Sequence, residues 1–244
     1  MDRNGTCMYP WCAAVALVFA IPLFASAGLV ITEVQPQTSA GTASTINGDW
    51  WELTNTGPGA VNLLGYSWAD EEDRTHPPLS MAGPNPNGFP NVSIAAGESI
   101  IIIDESMANE GAWRTNWGAP ASLNILSVDE MIDLAPPDAG GAFSGLSSDG
   151  DSVFFYGPMG DLLSSYTYTS PITRGTTFEV SMGGGNLGLS VVGENGAVMA
   201  SNGDKGSPGV AVPEPASIFM IMSAAAMALA VRRTRSYGDS RLPG

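Results

Sequence analysis

Between residues 28 and 210, Gly, Pro, Asn, Ser and Thr interrupt the chain roughly every 8–12 residues, and short runs rich in Val, Ile, Phe, Tyr and Trp lie between them. A packed helix needs a longer uninterrupted stretch with apolar residues three and four apart. No such stretch of useful length occurs, although Glu105 to Trp117 has room for one or two helical turns. The rhythm predicts an all-β sandwich or barrel.

Individual strands follow from alternation. Leu29 to Gln35 is the first, and Asp49 to Asn55 the second. In the second, Trp51 and Leu53 fall on one face and Trp50 and Glu52 on the other. Thr56-Gly57-Pro58-Gly59 makes a turn. Val61 to Ala69 follows as one strand, with Val61, Leu63 and either Tyr66 or Trp68 inward and a bulge at Gly65. The acidic, proline-rich stretch from Asp70 to Pro90 reads as loop. Val92–Ile94 and Ser99–Asp104 read as a hairpin around Ala95-Ala96-Gly97. The continuous apolar run Ile100–Ile103 predicts burial on both faces. Ser122 to Leu134 gives mixed signals. Asp151–Gly157 and Leu162–Tyr168 form the clearest hairpin, joined by Pro158-Met159-Gly160-Asp161. Weaker strands are expected near Phe178 and near Leu189 to Val192.

Both ends of the chain are apolar. Residues 13–24 end at Ala25-Ser26-Ala27, and Ala25 and Ala27 supply the small-x-small pattern read by signal peptidase. Residues 1–27 are therefore expected to be a signal peptide. Near the other end, Val212-Pro213-Glu214-Pro215 precedes an uncharged run from Ala216 to Val231. As a transmembrane helix, residues 216–231 would extend about 24 Å, slightly short of a hydrocarbon core of about 30 Å. Arg232, Arg233 and Arg235 follow and mark the cytoplasmic side. The expected division is a signal peptide (1–27), a β-sandwich ectodomain (28–210), a tail with its membrane span (211–235) and a short cytoplasmic end (236–244).

Composition narrows the chemistry. Both cysteines, Cys7 and Cys12, precede residue 28, so the ectodomain can hold neither a disulfide nor a thiolate site. Residues 28–212 carry four basic and 21 acidic side chains, a net charge of −17. Such a surface repels phosphate backbones, which argues against nucleic acid as a partner. His76 is the only histidine, and Gly-x-Ser-x-Gly, P-loop and His-Glu-x-x-His patterns are absent from the sequence. Asp70, Glu71 and Asp73 are candidate Ca²⁺ ligands, since hard cations gather several oxygens; a solvated acidic loop is the plainer expectation. Asp149-Gly150-Asp151 reads as a turn before a strand. Glu52, among apolar neighbours, is expected to pair with an arginine such as Arg174 or to cap backbone amides. Trp113 and Trp117 would either cover the sandwich end or form a sugar-stacking platform; covering is the expectation.

The tail resembles the PEP-CTERM sorting signal of bacteria: Pro213-Glu214-Pro215, a short apolar span and a basic end, in that order. The resemblance implies an exosortase-type membrane enzyme that removes the tail near the motif, with the protein passed to the cell surface or released, often beside exopolysaccharide. The ectodomain resembles the lamin-tail domain, an immunoglobulin-like β-sandwich. The matching pieces are Ile31-Thr32-Glu33-Val34, Asp49 to Gly57, Ala60 to Trp68, Ala95 to Glu98, Leu146 to Val153 and Ser207-Pro208-Gly209. That resemblance implies a recognition or packing module whose residues are structural. The expected function is a non-catalytic envelope or matrix protein, held at the inner membrane until processing, with exopolysaccharide or envelope proteins as partners. The alternative is a carbohydrate- or Ca²⁺-binding surface module; no other cofactor is expected.

Overall fold

The structure is a computed structural model that describes residues 28–39, 48–70, 87–133 and 145–213. It is mostly β-sheet. In chain order the strands are β1 (Leu29–Gln35), β2 (Trp50–Asn55), β3 (Val61–Asn62), β4 (Ser67–Ala69), β5 (Asn87–Gly88), β6 (Ser93–Ile94), β7 (Ser99–Ile103), β8 (Asn124–Ser127), β9 (Ile132–Asp133), β10 (Gly150–Tyr156), β11 (Leu162–Thr169), β12 (Phe178–Val180), β13 (Asn186–Leu189), β14 (Val198–Met199) and β15 (Lys205–Gly206). Among the described residues one α-helix, α1 (Glu110–Trp117), lies between β7 and β8. Gly118, left-handed at φ 63°, stops it by donating its amide to the carbonyls of Arg114 and Thr115.

Two sheets carry the architecture. The larger runs β13-β12-β1-β2-β7-β8, the smaller β11-β10-β4-β5-β9. The main core lies between them. Ile31, Val34, Trp51, Leu53, Ile100 and Ile102 meet Trp68, Phe89, Val153 and Phe155 there. Trp51 is its centre, edge-on to Trp68 at 5.2 Å and to Phe89 at 6.3 Å between ring centroids. Edge-to-face packing sets the positive rim of one ring against the negative face of the next.

The larger sheet buries its other face as well. Ile101 and Ile103 point there beside Trp50, and α1 closes over them with Trp113 and Trp117. Trp50 packs edge-on against both, at 5.6 and 5.5 Å. The all-isoleucine strand is thus buried on both faces, as its unbroken apolar run requires. Trp113 and Trp117 are core residues, 1% and 6% exposed, so the sugar platform is ruled out. They cover the sheet's outer face rather than the sandwich end.

β1, β2, β7 and the β10–β11 hairpin fall where alternation put them. Three expectations are corrected. Val61 to Ala69 is two strands in different sheets, and Gly65 (φ 92°) makes the turn between them rather than a bulge. Val92–Ile94 does not form a hairpin with the isoleucine strand: β6 pairs with β3, whereas β7 pairs antiparallel with β2 and parallel with β8. The stretch expected to be loop up to Pro90 contains β5, which bridges β4 and β9. Each error concerns two-residue pairings too short to leave a periodic signal. Among the described residues no helix is long and apolar enough to cross a membrane, and the expected span at 216–231 lies outside them.

Candidate functional site

One irregularity in β1 organises the outer face of the larger sheet. Register with β2 runs Ile31↔Leu53 and then Glu33↔Glu52, so Thr32 is an extra residue. Strict alternation would send Glu33 to the same side as Ile31. The bulge turns Thr32 and Glu33 both outward and returns Val34 to the core. Because Glu33 is also opposite Glu179 of β12, three glutamates sit in a row across neighbouring strands: Glu179, Glu33, Glu52. All are buried, at 3%, 1% and 0% exposure.

A C-terminal strap, residues 204–212, covers the row. Asp204 anchors its start, accepting from Gln35 Nε2 at 2.8 Å and from the Ser39 amide at 2.7 Å. The Ser207 amide donates to Glu33 Oε1 at 2.7 Å, and the Gly209 amide donates to Glu52 Oε2. Val212 forms a parallel bridge with Ser181 and accepts from the Met182 amide at 2.8 Å. Glu52 Oε1 also accepts from the hydroxyls of Thr32 (2.6 Å), Thr54 (3.2 Å) and Ser99 (3.1 Å). Glu52 therefore caps a backbone amide, one of its two expected roles, and hydroxyls rather than Arg174 complete its shell.

Burial, reinforced by the Glu52 charge and by Glu179, pushes Glu33 well above the usual carboxylate range, against hydrogen bonds from Thr177 and Ser207. Burial raises Glu52 too, against the four hydrogen bonds it accepts. Paired carboxyls are the raw material of acid–base catalysis, but these are sealed beneath the strap and spent on its amides. Their arrangement is a clamp.

The strap fits only with glycine at one point. A Cβ on Gly206 would stand 2.7 Å from Glu33 Oε1 and 2.8 Å from Thr177 Cγ2. Gly206→Ala is expected to lift the strap from Glu33 and destabilise the fold by about 1–3 kcal/mol, the usual cost of overpacking. Urea unfolding measures this; an unchanged midpoint would show that the strap is not tightly seated.

A second acidic group lies at the opposite end of the sheet from Val212. Asp49 Oδ2 accepts from the Leu146 amide at 2.7 Å. Burial, with Asp104 and Asp151 nearby, raises Asp49 to about 8, and burial with Glu105 raises Asp104 to about 6. Burial and Asp151, Asp49 and Asp70 push Tyr168 upward. Because Asp49 holds its proton more tightly folded than unfolded (3.8), the folded state binds the extra proton between these values. Its contribution to stability is complete below about pH 4 and is lost as pH rises towards 8. Urea midpoints measured from pH 4 to pH 8 should therefore decline less in Asp49→Asn than in the parent chain, and parallel profiles would refute the assignment.

Among the described residues no group of three or more His, Cys, Asp or Glu is placed to hold a metal. Asp70 is buried at the end of a described segment, while its partners in the candidate Ca²⁺ set, Glu71 and Asp73, lie outside the described residues, as does His76. Ala25, Ala27, Glu214, Pro215, Arg232, Arg233 and Arg235 lie outside them too. Val212 and Pro213 are described and continue directly from the strap. A groove of about 280 Å³ beside the strap is lined by Glu98, Ser99, Pro120, Leu123, Pro208 and Val210 among others, with no histidine or cysteine. Sequence reasoning flagged Glu52 but not its place in a row with Glu33 and Glu179, because the bulge at Thr32 hid it.

Comparison with curated proteins finds no match to this chain. The family model of the PEP-CTERM protein-sorting motif matches residues 211–235. The matched segment begins one residue before Val212, where the strap makes its β-bridge. The chain therefore carries the signal of an exported protein that an exosortase processes.

Proposed function

We propose that the chain is a non-catalytic envelope or matrix protein, delivered by its signal peptide and held at the inner membrane by residues 216–231 until the tail is removed. Its body is a lamin-tail-type, immunoglobulin-like sandwich that makes protein or polysaccharide contacts at the cell surface. The observation that carries this reading is the junction: Val212, the first residue of Val212-Pro213-Glu214-Pro215, is bridged to Ser181 at the end of a closed fold. The described contacts of the body run up to Val212, so removing the tail near Pro213-Glu214-Pro215 leaves them in place.

The lamin-tail reading gains support from three of its sequence segments, distant along the chain. Glu33, Glu52 and Ser207-Pro208-Gly209 meet in the carboxylate clamp. The clamp gives those segments a structural role.

Intact-mass measurement of protein from an exosortase-bearing host tests the reading. The expected product begins near Gly28 and ends near Pro213-Glu214-Pro215. Cytoplasmic, full-length material ending at Gly244 would overturn it.

A further inference from the structure

We infer that one end of the sandwich, the end from which the tail departs, is a lipid-facing surface that rests on the bilayer before processing. This rests on the proposed membrane span. Four Cα steps separate Val212 from Ala216, which reach at most about 14 Å when extended. Val212 is fixed to the fold through Ser181 and Met182. With the span inserted, that end must therefore lie at the membrane interface.

Strand direction defines what else is there. Leu29 and Asn55 are paired at this end of the larger sheet, next to Glu98. In the smaller sheet Tyr156 pairs with both Ser67 and Leu162. The Ile31 amide donates to Ser164 Oγ, and Tyr168 stacks on Phe178, which pairs with Val34. β11 thus runs alongside β1 in the same direction, and Leu162 stands at the same end as Leu29. Four connections gather there: residues 56–66, 95–98, 157–161 and 181–185.

Exposed apolar side chains occur over the whole domain, Met107 at 54% and Met199 at 60% among them, but here they come with few charges. Met159 is 79% exposed, Leu64 57%, Leu162 48% and Leu187 41%. Glu98 and Asp161 are the charged residues of the four connections. Glu98 accepts from the Ala95 amide, and the Asp161 carboxyl lies over Gly157, within its own turn. Residues 181–187 carry no charge. Asp49, Asp104 and Asp151 gather at the other end. A body of net charge −17 is repelled by anionic headgroups within a Debye length of about 8–10 Å. Placing the acids far away and apolar side chains near lets the tethered body approach. Exposed Leu and Met at the interface then gain by leaving water.

The test uses the full chain with Cys7→Ser and Cys12→Ser, reconstituted in phosphatidylethanolamine–phosphatidylglycerol vesicles. Single cysteines carry an environment-sensitive fluorophore at Met159→Cys, at Leu187→Cys or, on the opposite end, at Met107→Cys. Lipids spin-labelled near the headgroup serve as quencher. Quenching several-fold stronger at 159 and 187 than at 107 is expected. Equal or absent quenching in chain that floats with the vesicles would overturn this surface while leaving the membrane span standing. Chain that fails to float would overturn the span and this inference together.

Discussion

Truncating Glu52 to alanine is expected to lower unfolding stability by roughly 3–5 kcal/mol, which moves a urea midpoint by about 1–2.5 M at an m-value of ~2–3 kcal/mol/M. The variant removes the acceptor for three hydroxyls and the Gly209 amide at once. Those donors lie under the strap, where water cannot replace the carboxylate without the strap lifting. Glu52→Gln should lose less. Its carbonyl still accepts from the hydroxyls, but its NH₂ faces the Gly209 N–H, and two donors repel. The ordering parent, glutamine, alanine distinguishes a hydrogen-bonding clamp from simple space filling, which predicts near-equal parent and glutamine. Limited proteolysis of the alanine variant should also cut within residues 204–212 sooner than in the parent, because Gly209 loses its anchor.

Trp51→Ala is expected to cost about 3–5 kcal/mol as well, by a different cause. Trp51 is fully buried and contacts the aromatic rings of Trp68 and Phe89, which belong to the other sheet's side of the core. Its removal opens a cavity between sheets that two-residue strands such as β5 cannot close by shifting. Trp51→Phe keeps an aromatic ring in place and should retain a substantial part of the stability. Equal midpoints for the alanine variant and the parent would mean that the two sheets do not depend on this contact.

These two effects divide along a line that the sequence only half reveals. Trp51 inward and Trp50 outward follow from period-two alternation in β2. The double burial of β7 follows from four consecutive isoleucines, and the β10–β11 hairpin from its turn residues. The carboxylate row does not follow, because it depends on a one-residue bulge at Thr32 that reverses the side on which Glu33 falls. Alternation read without the bulge puts Glu33 into the apolar core. Nor could Gly65 be placed: a glycine that interrupts alternation fits a bulge and a turn between sheets equally well, and only strand pairing separates them.

By itself the sequence determined the class of fold, the faces of β2, the double burial of β7, the exclusion of thiol chemistry from residues 28 onward and the sorting motif at the tail. Each is written locally, in side-chain period, composition or contiguous residues. Tertiary structure alone decided which short strands pair and that the chain's last described segment folds back across the outer sheet. It also brought Glu33, Glu52 and the Ser207 and Gly209 amides together. Those contacts join residues up to 174 positions apart. Nothing local encodes them, because they form only where two buried carboxyls find amides that the rest of the fold has carried to them.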